Sequence, residues 1–170
     1  AIKWFDRYME EAVVEYRKDA LERKGDCYFI TKKYKTAALV YDLVLNDYFS
    51  ADDIYPYYQA ALSYGLSNNN TKKTKLLENV LNASENAPFY SEALYELGRS
   101  YVAANKNDKA FECFEKLSKS KKDGNYVAKA YLELGSISRN RNQLDDAMGY
   151  YKFVVEQLPA SGYEEDALLA

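Results

Sequence analysis

Ser91-Glu92-Ala93-Leu94-Tyr95-Glu96-Leu97-Gly98 and Ala128-Lys129-Ala130-Tyr131-Leu132-Glu133-Leu134-Gly135 decide the fold, because they are one pattern written twice, 37 positions apart. The same shift carries Ala110 onto Ala147, Phe114 onto Tyr151 and Leu117 onto Val154. A shift of 73 backwards carries Ala93, Leu94, Gly98, Tyr101, Ala110 and Phe114 onto Ala20, Leu21, Gly25, Tyr28, Ala37 and Tyr41. Many matches at two offsets signal an internal repeat, and repeats in this size range build stacked architectures. Within each copy the apolar residues follow helical spacing, as in Leu94, Leu97, Tyr101 and in Ala110, Cys113, Phe114, Leu117. Clear strand alternation is missing, so the expected class is all-α.

A further copy fits between these with a changed offset. Ala60, Tyr64 and Gly65 precede Ala93, Leu97 and Gly98 by 33, whereas Leu76, Leu77 and Val80 precede Cys113, Phe114 and Leu117 by 37. The reading is a turn shortened by four residues around Asn68-Asn69-Asn70. The expected organisation is a single array over 1–170: the second helix of a truncated repeat at 1–11, repeats at 12–50, 51–86, 87–123 and 124–160, and the start of a next repeat at 161–170. Ala1-Ile2-Lys3-Trp4-Phe5 and Asp166-Ala167-Leu168-Leu169-Ala170 run straight into helical pattern, which reads as a piece of a longer chain.

Composition narrows the chemistry. The 170 residues include no histidine, which removes imidazole acid–base chemistry and histidine-ligated metals. Cys27 and Cys113 are too few and too far apart for a disulfide framework or a zinc pattern and are expected as packing residues, and no cofactor is implied. A net charge of −3 lacks the basic surplus of a nucleic-acid binder. No apolar run approaches the length of a membrane span. Tyrosine stands out, at 18 residues against 7 phenylalanines and 1 tryptophan.

The pattern Leu94, Leu97-Gly98, Tyr101, Ala110, Phe114, Leu117, with Tyr131, Leu134-Gly135, Ala147, Tyr151, Val154 and Pro159 in the next copy, resembles the tetratricopeptide repeat family. Departures are Ser138 for the tyrosine and Lys73 for the second-helix alanine. The resemblance implies a right-handed superhelix of antiparallel helix pairs, with a glycine and an alanine where the two helices approach and aromatics filling the gaps. It implies a non-catalytic scaffold that holds a peptide or protein partner on the face lined by first helices. Pro88-Phe89-Tyr90-Ser91-Glu92-Ala93-Leu94 and the stretch from Pro159 to Leu168 look like the Gram-negative envelope branch, the outer-membrane-assembly and Tol–Pal type. Gly25-Asp26-Cys27-Tyr28-Phe29 and the Asn- and Tyr-rich composition look like Bacteroides-type proteins. A repeat region of a larger enzyme and a self-assembling scaffold are the alternatives.

Repeat register places Glu22, Asp26 and Phe29, then Gln59, Leu62 and Leu66, then Tyr95, Arg99 and Val102, then Leu132, Ser136 and Arg139 on the groove. The expected groove is acidic at one end and carries two arginines at the other. Only Arg99 among the matching positions is cationic where chaperone-tail binders use a cationic clamp, which argues against that role. Asp52-Asp53, Asp145-Asp146 and Glu164-Glu165-Asp166 read as first turns of helices favoured by the macrodipole rather than as catalytic or metal-binding carboxylates. Lys32-Lys33-Lys35 and Lys72-Lys73-Lys75 read as solvated interhelical turns, and Lys119, Lys121 and Lys122 as residues after a helix end.

Overall fold

The structure, a computed structural model, describes residues 2–11, 14–48, 50, 52–120 and 124–170. Ala1, Lys121 and Lys122, named above, lie outside them. Among the described residues there are ten α-helices, one 3-10 helix and no strand. The chain divides into two bodies, Ala1–Tyr90 and Ser91–Ala170.

The first body holds α1 (Ile2–Glu11), α2 (Val14–Ile30), α3 (Tyr34–Asp47), α4 (Ile54–Leu66), α5 (Asn70–Leu77) and a 3-10 helix (Glu78–Asn82). The second is built from α6 (Tyr90–Ala103), α7 (Asn107–Ser118), α8 (Gly124–Asn140), α9 (Leu144–Gln157) and α10 (Glu164–Leu169). Each body is a stack of antiparallel helix pairs. The pairs are α2/α3 and α4/α5 in the first body, α6/α7 and α8/α9 in the second.

One turn geometry closes all four pairs. Lys32, Asn68, Asn105 and Asn142 each hold a left-handed φ, at 59°, 65°, 55° and 60°. The amide after each reaches five residues back: Lys33 to the Tyr28 carbonyl (2.9 Å), Asn69 to Tyr64 (2.8 Å), Lys106 to Tyr101 (2.9 Å) and Gln143 to Ser138 (2.9 Å). This is the left-handed cap that satisfies the last carbonyls of a helix. Asparagine tolerates the conformation; lysine has no such preference.

These hydrogen bonds correct the sequence register of α4. They align Tyr64 with Tyr28, Tyr101 and Ser138, at spacings of 36, 37 and 37. The turn around Asn68 is therefore full length and no residue is missing. The position of Gly25, Gly98 and Gly135 is filled in α4 by Ala61, not Gly65, and Tyr57 stands with Leu94 and Tyr131. The apparent offset of 33 arose because Ala60 and Gly65 happen to imitate Ala93 and Gly98 four residues out of step.

At three pairs the glycine is a contact requirement. A methyl group on Gly25 would stand 2.7 Å from the Tyr41 ring, and on Gly98 2.6 Å from the Phe114 ring; Gly135 is crowded by Tyr151 in the same way. Tyr41 and Phe114 are fully buried, so these rings cannot retreat. The second-helix alanines Ala37, Ala110 and Ala147 are buried too. In α4/α5 the solution differs: Ala61 and Leu77 occupy the glycine and ring positions, both essentially fully buried. Lys73 replaces the alanine, and its side chain lies beside Gly65, 2.9 Å from where a methyl there would sit. Gly65 thus makes room for a lysine stem.

The cores are local, as expected of stacked repeats. Leu21, Val40 and Val44 pack with Tyr28 and Tyr48. Ala37, Tyr41 and Ala60 pack with Phe29, Tyr55 and Leu76. In the second body Ala128, Val154 and Ala167 pack with Tyr131, Tyr151 and Tyr163. Asp145 and Asp146 open α9 and Glu164, Glu165 and Asp166 open α10, where the macrodipole favours them. Asp53 stands just before α4 and makes no capping side-chain hydrogen bond; it pairs with Lys18 instead. Lys72, Lys73 and Lys75 belong to α5 and Lys35 to α3, so the helices begin earlier than the expected solvated turns allowed.

Candidate functional site

In the first body the candidate face begins on α2. Glu22 is half-buried beside Lys18 (3.7 Å), and burial holds its carboxyl above the ordinary value, with Lys18 opposing. Asp26 is committed internally: it accepts hydrogen bonds from Tyr41 (2.6 Å), from Tyr55 and from Arg23 (3.2 Å). Burial first, and the Asp26 carboxylate second, hold both phenols well above their ordinary value. Asp26 therefore ties α2, α3 and α4 together. Phe29 stands edge-on to Tyr34 (5.4 Å between centroids) and packs on the Ala37–Tyr41–Ala60 cluster.

On α4 the corrected register keeps Leu62 and replaces Gln59 and Leu66 with Tyr58 and Gly65. Gln59 stands with Glu96 and Glu133, and Leu66 is the exposed last residue of the helix. Tyr58 is stacked by Phe89 (6.0 Å, 21° between planes), and Phe89 also meets Tyr55 (5.1 Å).

In the second body Tyr95 is the centre. Its ring contacts Phe114 (5.8 Å) and Tyr126 (5.6 Å), and its hydroxyl donates to Glu133 Oε1 (3.2 Å). Burial, then the Glu133 charge, hold the phenol well above its ordinary value. Two cations flank the ring, the Arg99 guanidinium at 6.0 Å and the Lys129 ammonium at 5.6 Å from its centroid. The ring quadrupole attracts both. Lys129 also lies over Tyr126 (4.5 Å) and Tyr163 (5.7 Å), so three phenol rings surround one ammonium. Arg99 is exposed and touches Glu96 (3.3 Å). Arg139 is exposed and donates to the Ala170 backbone carbonyl. Val102 and Ser136 are half-buried, and Leu132 packs on the Ala128–Val154–Ala167 cluster.

The structure thus brings Tyr95 and Arg99 together and makes Asp26 a structural tie. Sequence reasoning missed Lys129, Tyr126, Glu133 and Tyr58. Two of these carried a signal: Lys129 lies one helical turn before Leu132, and Tyr58 falls on Tyr95 at the uniform shift of 37. Chemically, the Tyr95 face offers a cation and aromatic surface. Burial pushes the Cys113 thiol up to about 12, so it stays protonated near neutrality. Among the described residues no three His, Cys, Asp or Glu side chains are grouped to hold a metal, and no helix is long and apolar enough to cross a membrane.

The sequence pattern of the tetratricopeptide repeat matches residues 95–161. No curated protein sequence matches the chain. Solved structures do. The crystal structure of MamA superposes with a TM-score of 0.76 at 19% identity, covering 94% of this chain and 87% of that one. A tetratricopeptide repeat protein from Parabacteroides merdae gives 0.76 at 19%, covering 98% and 62%. YrrB, described as a TPR protein with an unusual peptide-binding site, gives 0.71 at 20%, covering 94% and 77%. At these identities the likeness shows the fold, a TPR-like α-solenoid.

Proposed function

We propose that this chain is a non-catalytic tetratricopeptide-repeat scaffold that holds a peptide or protein partner on the face lined by its first helices. On this reading the repeats span 12–50, 51–86, 87–123 and 124–160. The observation that carries the reading is Tyr95, half-buried with a satisfied hydroxyl, flanked by Arg99 and Lys129. An aromatic anchor beside cations suits a partner's apolar side chain together with its carbonyls or carboxylates. Leu132, Ser136, Val102 and Arg139 extend that face in the second body; Glu22, Phe29, Tyr58 and Leu62 form its counterpart in the first. YrrB, whose structure is described by a peptide-binding site, supports the class of partner. The bacterial envelope is the proposed setting, on the resemblance of the stretch from Pro159 to Leu168 to that branch of the family.

The test is a displayed random-peptide library selected on the whole chain. Enriched peptides should lose binding at least tenfold to Arg99→Glu with Arg139→Glu, while helical circular dichroism is unchanged. Peptides that bind the double variant as well as the parent would remove the face from the account.

A further inference from the structure

The turn edge of the first body has a chemistry its repeat role does not use. Residues 30–36 (Ile-Thr-Lys-Lys-Tyr-Lys-Thr) and 66–77 (Leu-Ser-Asn-Asn-Asn-Thr-Lys-Lys-Thr-Lys-Leu-Leu) contain six lysines and no acidic residue, in a chain whose net charge is −3. The equivalent turns of the second body are mixed, with Asp108 beside Lys109, and Asp145 and Asp146 after Arg141.

The fold sets the first lysine stretch against the turn that opens the second. A cleft of about 490 Å³ runs between the turns, lined by Lys32, Lys33, Lys35, Leu66 and Asn68 among others. Lys32, Lys33, Lys35, Lys72 and Lys75 are exposed. In the second stretch Lys72 lies 3.4 Å from Asp42, which also accepts from Tyr64. Within this basic edge stand two aliphatic side chains, Ile30 at 77% and Leu66 at 53% exposure. Both are the last residues of their helices, and each stands two positions before the left-handed residue of its own capping turn, Lys32 and Asn68. Each turn is closed by a five-residue back-bond, from Lys33 and from Asn69. At the left-handed position the other three turns use asparagine, and here a lysine stands instead. Local preference has given way to charge at that point.

We propose that this edge docks on an anionic lipid surface. Ile30 and Leu66 enter the headgroup boundary while the lysines pair with lipid phosphates, the arrangement by which basic surfaces with apolar tips lie on membranes. A soluble nucleic acid fits less well: the edge has no arginine and a single aromatic residue, Tyr34, which is half-buried and packed edge-on to Phe29.

The test is co-sedimentation of the whole chain with vesicles of phosphatidylcholine alone or mixed with phosphatidylglycerol. Binding is expected to the mixed vesicles only and to fall steeply with added salt, since exposed charges are screened. Lys32→Ala with Lys33→Ala and Lys35→Ala should cut partitioning by roughly a hundredfold, at about fivefold per lysine. Ile30→Ser with Leu66→Ser should cut it at least tenfold with the charges intact. Equal binding to both vesicles, binding to neither, or a triple variant that binds like the parent overturns the proposal. So does a serine variant with undiminished vesicle binding and equal capture by dextran sulfate, which would make the edge a site for soluble polyanions.

Discussion

The α4/α5 pair and the α6/α7 pair solve one packing problem in two ways. Both close through the same left-handed turn, at Asn68 and Asn105. In α6/α7 the helices meet glycine against ring, Gly98 under Phe114, with Ala110 beside them. In α4/α5 the methyl of Ala61 takes the glycine's place, the smaller Leu77 takes the ring's, and Lys73 takes the alanine's with Gly65 clearing its stem. The turn is the invariant of this repeat and the side chains at the crossing are exchangeable, provided their volumes change together.

That difference can be attacked directly. The largest effect is expected from emptying or overfilling the α6/α7 crossing. Phe114→Ala should cost about 3–5 kcal/mol, because the ring is fully buried. Gly98→Leu should cost at least about 3 kcal/mol, because its first carbon already meets that ring. Denaturant unfolding measures both. Leu77→Ala should also be costly, at about 2–5 kcal/mol, but without the aromatic partner loss.

An intermediate effect comes from the phenols that tie pairs together. Tyr41→Phe removes a 2.6 Å hydrogen bond to the Asp26 carboxylate and should cost about 1.5–3 kcal/mol. Alkaline pH tests the same contacts. The Cys113 thiol and the Tyr41, Tyr55 and Tyr95 phenols all ionise later in the folded chain than in the unfolded one, with burial the first cause. Above about pH 9 the unfolded state therefore binds fewer protons, so stability present below that pH falls as it rises. Urea midpoints at intervals from neutrality to pH 11 should be flat and then decline; a rise would contradict the burial of these groups. The smallest effect concerns the turns. Lys32→Asn should stabilise the first body by about 1 kcal/mol, matching it to the other three caps. Hydrogen exchange at the Lys33 amide would report it.

The helical repeat was legible because Ala93-Leu94 and Leu97-Gly98 recur at one offset with Ala110 and Phe114. The α4 register was not, because side-chain similarity misled where the backbone did not: a glycine four residues away imitated the crossing glycine, while the marker of the register was Asn68, a turn residue. Of the candidate face, Tyr95 and Arg99 could be read from the repeat. The cage around Lys129 could not, because Tyr126 and Tyr163 lie outside the recurring positions that define the repeat and meet Lys129 only once the chain is folded. Asp26 looked like an acidic groove residue, and three hydrogen bonds from other side chains make it a tie.

The register itself is the central claim, and paired melts of Gly98→Ala and Gly65→Ala test it most directly. Gly98→Ala should lower the melting temperature by about 2–6 °C, since a clash with a sealed ring outweighs the helix-propensity gain of about 1 kcal/mol. Gly65→Ala should leave it unchanged or raise it by up to about 3 °C, because the neighbour it meets is a flexible lysine stem that can move. A loss at Gly65 equal to that at Gly98 would contradict the account and return the crossing of α4 to Gly65.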